Sequence, residues 1–412
     1  MVKFTPRQEA GTIIAMKFPL IWFGAGMLFL SAAVFFFTIF TNLDHGFWHD
    51  EVISLKFASP DFDFGESFRW WANSEPHPFT YYMFLRIWFM IVGFGEATAK
   101  LFNPIIFVIC AILAYRIWPA ERRAEFLLFL SLNMTSVWSI FYLIEVRSYG
   151  AMLSVSLVAA SAIFALQHYS ETGDGLPRKL WQPFSYLTAC VILLALLDSW
   201  GVLLGSGIVV FVLLRFPMLR AQIMDKWLLF TVLTIVTGVA MLQYLNIVLI
   251  YDGLTSLGIT LRNFTLDASS WQVIQIMVGE LFHHIYVTGR SEIIVAVAAL
   301  VWAGALVLNR RVPVAEILIY LGPVAFAYGV VLVLHAINGQ AYYRHYSSLL
   351  LLPFLFLFLL STAFRARGMQ ALPALAISLF VLANVASIPF FERFPDKPRH
   401  IGYVKVYQPV FR

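Results

Sequence analysis

Asp50 and Glu51 stand side by side in GFWHDEVISLKFAS, just after the apolar run FPLIWFGAGMLFLSAAVFFFTIF. On a helix two adjacent side chains diverge by about 100°, so the two acids do not readily act on one proton. One can serve as a base while the other orients it or binds a cation. The plainer reading is an acidic helix N-terminus, because His-Asp-Glu before VISLKF suits a helix dipole. Further along, SEPHPF places Glu75 and His77 between prolines that bias each preceding residue to extended backbone. Residues two apart on an extended chain point the same way, which would present Glu75 and His77 together. Prolines that merely turn the chain into the next helix would read the same.

Three other groups are candidates. In YLIEVRSYG, Glu145 and Arg147 close one apolar run and open the next. Charges near lipid are costly and usually face a bundle interior or a wet cavity, although a simple Glu145–Arg147 pair at a helix end would also account for them. Lys100 in EATAKLF opens another run, where snorkelling is the ordinary explanation. HAINGQAYYRHYSS gathers His335, Tyr342, Tyr343, Arg344, His345 and Tyr346, and Arg344 with His345 suits an anion. The stretch 250–290 adds Asp252, Arg262, Asp267, Glu280, His283 and His284. Two adjacent histidines without a third ligand do not make a metal site. The sequence requires no cofactor, and a divalent metal stays open.

These residues must be held by helices in a membrane. Among the 412 residues, 60% are hydrophobic and only 12% charged, about half the charged share of a soluble protein. The mean hydropathy is +0.80. Repeated apolar runs near the length of a bilayer span predict an all-α polytopic membrane protein. Spans are expected at roughly 18–40, 98–118, 125–144, 148–167, 183–198, 200–214, 226–249, 291–309, 314–336, 346–364 and 371–391, about eleven in all. The whole chain, 1–412, reads as one integral-membrane domain. Basic clusters at Arg116/Arg122/Arg123, Arg178/Lys179, Arg215/Arg220/Lys226, Arg310/Arg311 and Arg365/Arg367 should all be cytoplasmic.

With the N-terminus inside, the long segments 41–97 and 250–290 and a short tail, 392–412, face outward. To keep Arg122 and Arg123 inside, 78–93 must lie in the outer interface with Arg86 snorkelling. To keep Arg215 inside, 183–214 must be a hairpin, which puts Asp198 at an outer turn. Cys110 and Cys190 fall inside apolar runs and read as packing residues. The net charge of +5 does not argue for nucleic acid, since basic residues are expected in the cytoplasmic loops.

The outer face therefore collects acids with several cations at helix ends. That set suits general-base activation of a hydroxyl and electrostatic stabilisation of an anionic leaving group. No phosphate-cradling glycine loop is present, so the leaving group expected is a lipid phosphate rather than a nucleotide. A transporter or flippase of a lipid-linked sugar is the alternative, since outer charges can also hold a headgroup without chemistry. A purely structural membrane subunit leaves the outer charge clusters unexplained.

In their order along the chain, these segments resemble the GT-C lipid-linked glycosyltransferases, in the protein O-mannosyltransferase and aminoarabinose transferase branch. The residues that carry the resemblance are HDEVISL, EPHPFTYYMFLRIW, GEATAKLFNPIIF, IEVRSYGAML and YYRHYSSLLLLP, spread over 45–355. It implies Asp50 as general base and Glu51 as its supporting or cation-binding neighbour. It matches His77 to a His-Pro-Pro-Leu motif that here reads His-Pro-Phe-Thr. Lys100 stands where the family usually has arginine, and Arg147 with Tyr149 falls in its Arg-x-Tyr motif. Lys100 and Arg147 would face the phosphate of a polyprenyl-phosphate sugar, with Arg344 and His345 beside them. Glu75, His77, Glu145, Tyr149 and Asp198 would support the site, and 250–290 would lie over its cavity. The expected partners are that donor, membrane lipids and a hydroxyl-bearing acceptor: a glycolipid, a polysaccharide or a protein. The expected place is a bacterial inner membrane with the site facing the periplasm or exterior. A large C-terminal soluble domain is not part of the sequence, so an acceptor-binding domain of its own is not expected.

Overall fold

A computed structural model describes residues 7–43, 46–47, 49–75, 77–172, 177–216, 314–338, 349–364 and 371–387, with isolated positions between 269 and 304. Regular structure among them is helical throughout. A long α1 (Arg7–Thr41) leads to three short helices, α2 (His49–Ala58), α3 (Phe64–Ser74) and α4 (Thr80–Val92). Then come α5 (Glu96–Ile117), a short 3-10 turn (Ala120–Arg122), α6 (Arg123–Thr135), α7 (Val137–Ile144), α8 (Ser148–Glu171), α9 (Pro177–Leu197) and α10 (Ser199–Arg215). A π-helical turn (Ile317–Leu321) enters α11 (Gly322–Asn338), followed by α12 (Leu352–Phe364) and α13 (Ala371–Ser387).

Among the described residues five segments are long and apolar enough to cross a membrane: Leu20–Thr41, Glu96–Ile117, Ser148–Glu171, Lys179–Leu197 and Val314–Val333. The chain is an integral membrane protein with an all-α polytopic fold. Four expected spans differ from that simple pattern. The expected single span 125–144 is a bent pair, α6 and α7, at 65°. Ser131, Asn133 and Thr135 each bond back to the carbonyl four residues earlier, at 2.7, 2.8 and 2.8 Å. Such side chains compete with the helix ladder and bend it, and Ser136 then turns extended. The helices α10 and α13 have 17 residues each and α12 has 13, giving lengths of about 26 and 20 Å, less than the roughly 30 Å of a bilayer core. The expected spans 226–249 and 291–309, nearly all of the outer segment 250–290, and the tail after 391 lie outside the described residues.

The first helix shows how a span is split between lipid and protein. Gly24, Met27, Ser31, Phe35 and Ile39 form one buried stripe at spacings of three and four, while Trp22, Phe29, Phe37 and Phe40 are exposed on the other side. The buried stripe packs on α6. At the centre, the apolar part of α8 is buried along its whole length, wrapped by α5, α9, α7 and α12. Two of its serines bond back along the helix, Ser154 to Gly150 at 2.7 Å and Ser161 to Leu157 at 2.8 Å, while the buried Ser156 hydroxyl has no hydrogen-bond partner. Cys110 and Cys190 are buried free thiols, consistent with packing roles.

The hairpin α9–α10 turns at Asp198, as the charge distribution requires. Its helices cross where Gly201 and Gly205 leave room. A Cβ on Gly201 would overlap the Leu194 carbonyl oxygen, so no larger residue fits without moving α9. Small residues four apart are the usual device for close helix approach in membranes. The 3-10 turn with Arg122, the starts of α6 and α9 and the ends of α5, α8 and α10 share one end of this bundle, called here the far end. The basic residues Arg116, Arg122, Arg123, Lys179 and Arg215 all lie there. The short helices α2–α4 cover the other end, where α5, α8 and α10 begin.

One expectation for this cover is corrected. Arg86 on α4 does not snorkel. Its guanidinium donates to the Phe62 carbonyl and, at 3.2 Å, to the Ser67 hydroxyl, and so ties α4 to α3. These protein acceptors satisfy the half-buried guanidinium without its reaching for headgroups.

Candidate active site

The expected acids and cations converge under the α2–α4 cover. Asp50 and Glu51 fall in the first turn of α2, where the helix dipole favours them, and their side chains part as the helix geometry requires. Glu51 is fully buried, and its Oε1 accepts from the Val146 amide at 3.0 Å. Asp50 keeps a third of its side chain exposed and lies 3.8 Å from Arg147 Nη2. Its main-chain carbonyl accepts from the Ser54 hydroxyl at 3.0 Å and from Arg147 Nη1 at 3.4 Å.

Arg147 is the hub. It occupies the N-cap position of α8 with extended backbone, φ −139° and ψ 163°. Residues 145–147 form a short extended link between α7 and α8, and this directs the arginine into the bundle instead of along a helix face. Nη1 donates to the Tyr82 hydroxyl at 3.1 Å and to Ser54 Oγ at 3.3 Å. It also lies 3.6 Å from Glu75 Oε1, and both side chains are about 95% buried. Nε–H is buried and has no hydrogen-bond partner. Burial favours a neutral guanidine, but the Tyr82 oxygen, Glu75, Tyr149 and Asp50 outweigh it and hold Arg147 firmly protonated.

Glu75 ends α3, its amide donating to the Trp71 carbonyl at 2.9 Å. Two residues on, His77 stands with Nε2 3.8 Å from Glu75 Oε1, so the pair is presented together as the Glu-Pro-His spacing implies. The His77 Nδ1 atom is 2.8 Å from Asp198 Oδ2. A carboxylate only accepts, so the hydrogen sits on Nδ1 and Nε2 is left facing Glu75. The Trp71 indole N–H donates to the His77 carbonyl, and the Tyr149 ring meets the imidazole edge-on at 6.0 Å.

Asp198 is 99% buried and caps α10, accepting from the Trp200 amide at 2.9 Å and the Ser199 hydroxyl at 3.2 Å. Burial pushes its carboxyl up, yet the His77 hydrogen bond and charge, with those two donors, hold it below the usual range. The result is a series of facing groups, Asp50–Arg147–Glu75–His77–Asp198, with anions alternating with a cation and a titratable imidazole.

Other expected residues stand differently. Lys100 is buried, its Nζ donating to the Asn42 carbonyl at 3.3 Å, 3.8 Å from Glu96 Oε1 and over the Phe47 ring at 5.2 Å. Its charge is therefore held between the end of α1 and the start of α5, and it does not snorkel. Glu145 is buried, and its carbonyl accepts from Asn103 Nδ2 at 2.6 Å. Arg344 and His345 lie outside the described residues. His335 is buried near the end of α11. Among the described residues no three of His, Cys, Asp and Glu cluster as metal ligands would.

Sequence reasoning passed over Ser54, Tyr82 and Asn103. Each carried a signal: Ser54 lies one helical turn after Asp50, Tyr82 follows the His-Pro motif, and Asn103 is a lone amide in an apolar span.

No protein-family model and no curated protein sequence matches the chain. Among solved structures it is similar to ArnT from Cupriavidus metallidurans, crystallised bound to undecaprenyl phosphate, with 15% identity and a TM-score of 0.45. The match covers 84% of this chain, and the chain spans about 62% of the length of that one.

Proposed function

We propose that the protein transfers a sugar from a polyprenyl-phosphate donor to a hydroxyl acceptor on the outer face of the membrane, with inversion at the anomeric carbon. The observation that carries this reading is the series Asp50–Arg147–Glu75–His77–Asp198. Its members come from α2, the end of α3, the link before α4, the start of α8 and the turn before α10, and they meet at one end of the bundle.

Asp50 is the acid of the series with a partly open side chain, which suits it to take the proton of an incoming hydroxyl. The hydroxyl oxygen attacks the anomeric carbon, the bond to the phosphate oxygen breaks, and the electron pair leaves with polyprenyl phosphate. Arg147, always charged, with an unused Nε–H, supplies donors for that phosphate. Lys100, Arg344 and His345 add positive charge. His77, held in one tautomer by Asp198, and Glu75 keep Arg147 oriented. The 2.8 Å His77–Asp198 bond fixes the orientation of the imidazole, as a buried carboxylate does in other proton-handling sites.

The test is incubation of the purified protein in detergent with a panel of polyprenyl-phosphate sugars and acceptors, with and without chelator. Consumption of one donor with release of polyprenyl phosphate is the expected result. A flippase needs sealed vesicles and would consume none, which would end this reading.

A further inference from the structure

We propose that Asn103 is a positioning residue: together with the space left by Gly150, it sets where Arg147 meets the donor phosphate. The inference rests on the phosphate role given to Arg147 above. Asn103 is 99% buried on α5, one helical turn past Lys100. Its Nδ2 donates to the carbonyl of Glu145 at 2.6 Å and to the carbonyl of Arg147 at 2.9 Å. Both partners are carbonyl oxygens, so only the amide nitrogen can meet them. On the same link, the Val146 amide donates to Glu51 Oε1 at 3.0 Å. The main chain of residues 145–147 is thus held at three successive positions by side chains, two bonds from α5 and one from α2.

A three-residue extended link between two helices has no ladder of its own. Without those bonds two buried carbonyls lose their partner, and the link must move to find others. The backbone of Arg147 is the base of its side chain, so any shift there is carried to the guanidinium. Gly150 is the second half of the device. A Cβ there would lie 2.8 Å from the Tyr142 carbonyl oxygen and 3.0 Å from both Cβ and Nδ2 of Asn103. The missing side chain lets the first turn of α8 sit directly on Asn103 and on the end of α7. Two unrelated features, an amide in an apolar span and a side-chain-free position on the facing helix, therefore serve one contact.

The experiment compares Asn103→Leu, which keeps volume and removes both donors, with Asn103→Ser and Gly150→Ala. Asn103→Leu is expected to lower donor kcat/KM by about 10²-fold, the usual scale for a small misplacement of a catalytic group, with acceptor KM unchanged. Asn103→Ser, keeping one donor, falls in between, and Gly150→Ala follows Asn103→Leu. In an Arg147→Lys background Asn103→Leu adds no further loss, because it acts through the arginine. Wild-type donor kcat/KM in Asn103→Leu, or a full additional loss in the Arg147→Lys background, overturns the proposal. If Asn103→Leu does not fold, Asn103→Ser and Gly150→Ala carry the test. An experimental structure of any of the three must show the Arg147 guanidinium displaced from Tyr82. An unmoved guanidinium overturns the positioning role whether or not the protein transfers sugar, whereas failure of the wild-type protein to consume any donor counts against the transfer reading alone.

Discussion

The two ends of the bundle use the same residue types in opposite ways. At the far end Arg122 pairs with Glu125 three residues along the same turn, His168 with Glu121, and Arg215 with Glu171 at 3.9 Å. Each of these pairs keeps one partner in contact with solvent. Around the small cavity lined by Arg122, Gln167, His168, Glu171, Tyr320 and Ser361 they close helix ends against one another. Under the α2–α4 cover, Arg147 and Glu75 are both about 95% buried. Arg147 bonds to Tyr82 65 positions away, and His77 to Asp198 121 positions away. A pair that stays partly exposed costs little to form and adds little. A largely buried set drawn from five parts of the chain has to be assembled against the cost of desolvation, and that cost sets it apart from the far-end pairs.

That contrast can be tested at its strongest point first. Arg147→Ala removes the cation between Asp50 and Glu75 and leaves a buried carboxylate uncompensated, which costs about 3–5 kcal/mol. The expected result is a large drop in melting temperature in detergent and no measurable transfer. A mild thermal effect would place Arg147 on the same footing as the far-end pairs. Asp50→Asn is expected to fold with a nearly wild-type melting temperature and to lose about 10²–10⁴-fold in kcat. Near-normal transfer by that variant would remove Asp50 from the role of base.

Asp198 separates capping from imidazole alignment. Asn caps a helix as well as Asp does, whereas Ala loses about 1 kcal/mol. Asp198→Asn should therefore keep most of the stability and lose the charge-assisted bond to His77, while Asp198→Ala loses both. The pH dependence follows from the lowered carboxyl of Asp198. Its folded-state value is below the unfolded one, so its contribution is complete above the ordinary aspartate range, near 4, and is lost as pH falls through the lower folded value. Thermal melts from neutral pH downward should show the wild type losing this increment below that range and Asp198→Asn lacking it. The smallest effect belongs to the far end: Arg215→Ala should change stability by less than about 1 kcal/mol and leave transfer rates unchanged. A loss of activity there would mean that the two ends are coupled.

Much of the fold was legible along the chain, because it depends on local sums. Apolar run length announced the helices of a membrane protein, and keeping Arg215 on the same side as the other basic clusters required the break at Asp198. The approach of Glu75 to His77 followed from prolines at alternate positions, and the divergence of Asp50 from Glu51 from a 100° step. The bend after Thr135 was less visible. The polar side chains that bend it sit within a run apolar enough to look continuous.

The sequence by itself determined the kind of protein, the helical segments and which polar residues stand at their ends. Only the tertiary structure decided that Asp50 faces Arg147 while Glu51 holds the Val146 amide, that His77 finds Asp198 across 121 residues, and that Asn103 carries the link before α8. The reason is geometric. A helix follows from residues three and four apart, but a contact between helices depends on where their axes cross. Those crossings are set by small residues such as Gly150 and Gly201, whose neighbours no local pattern names.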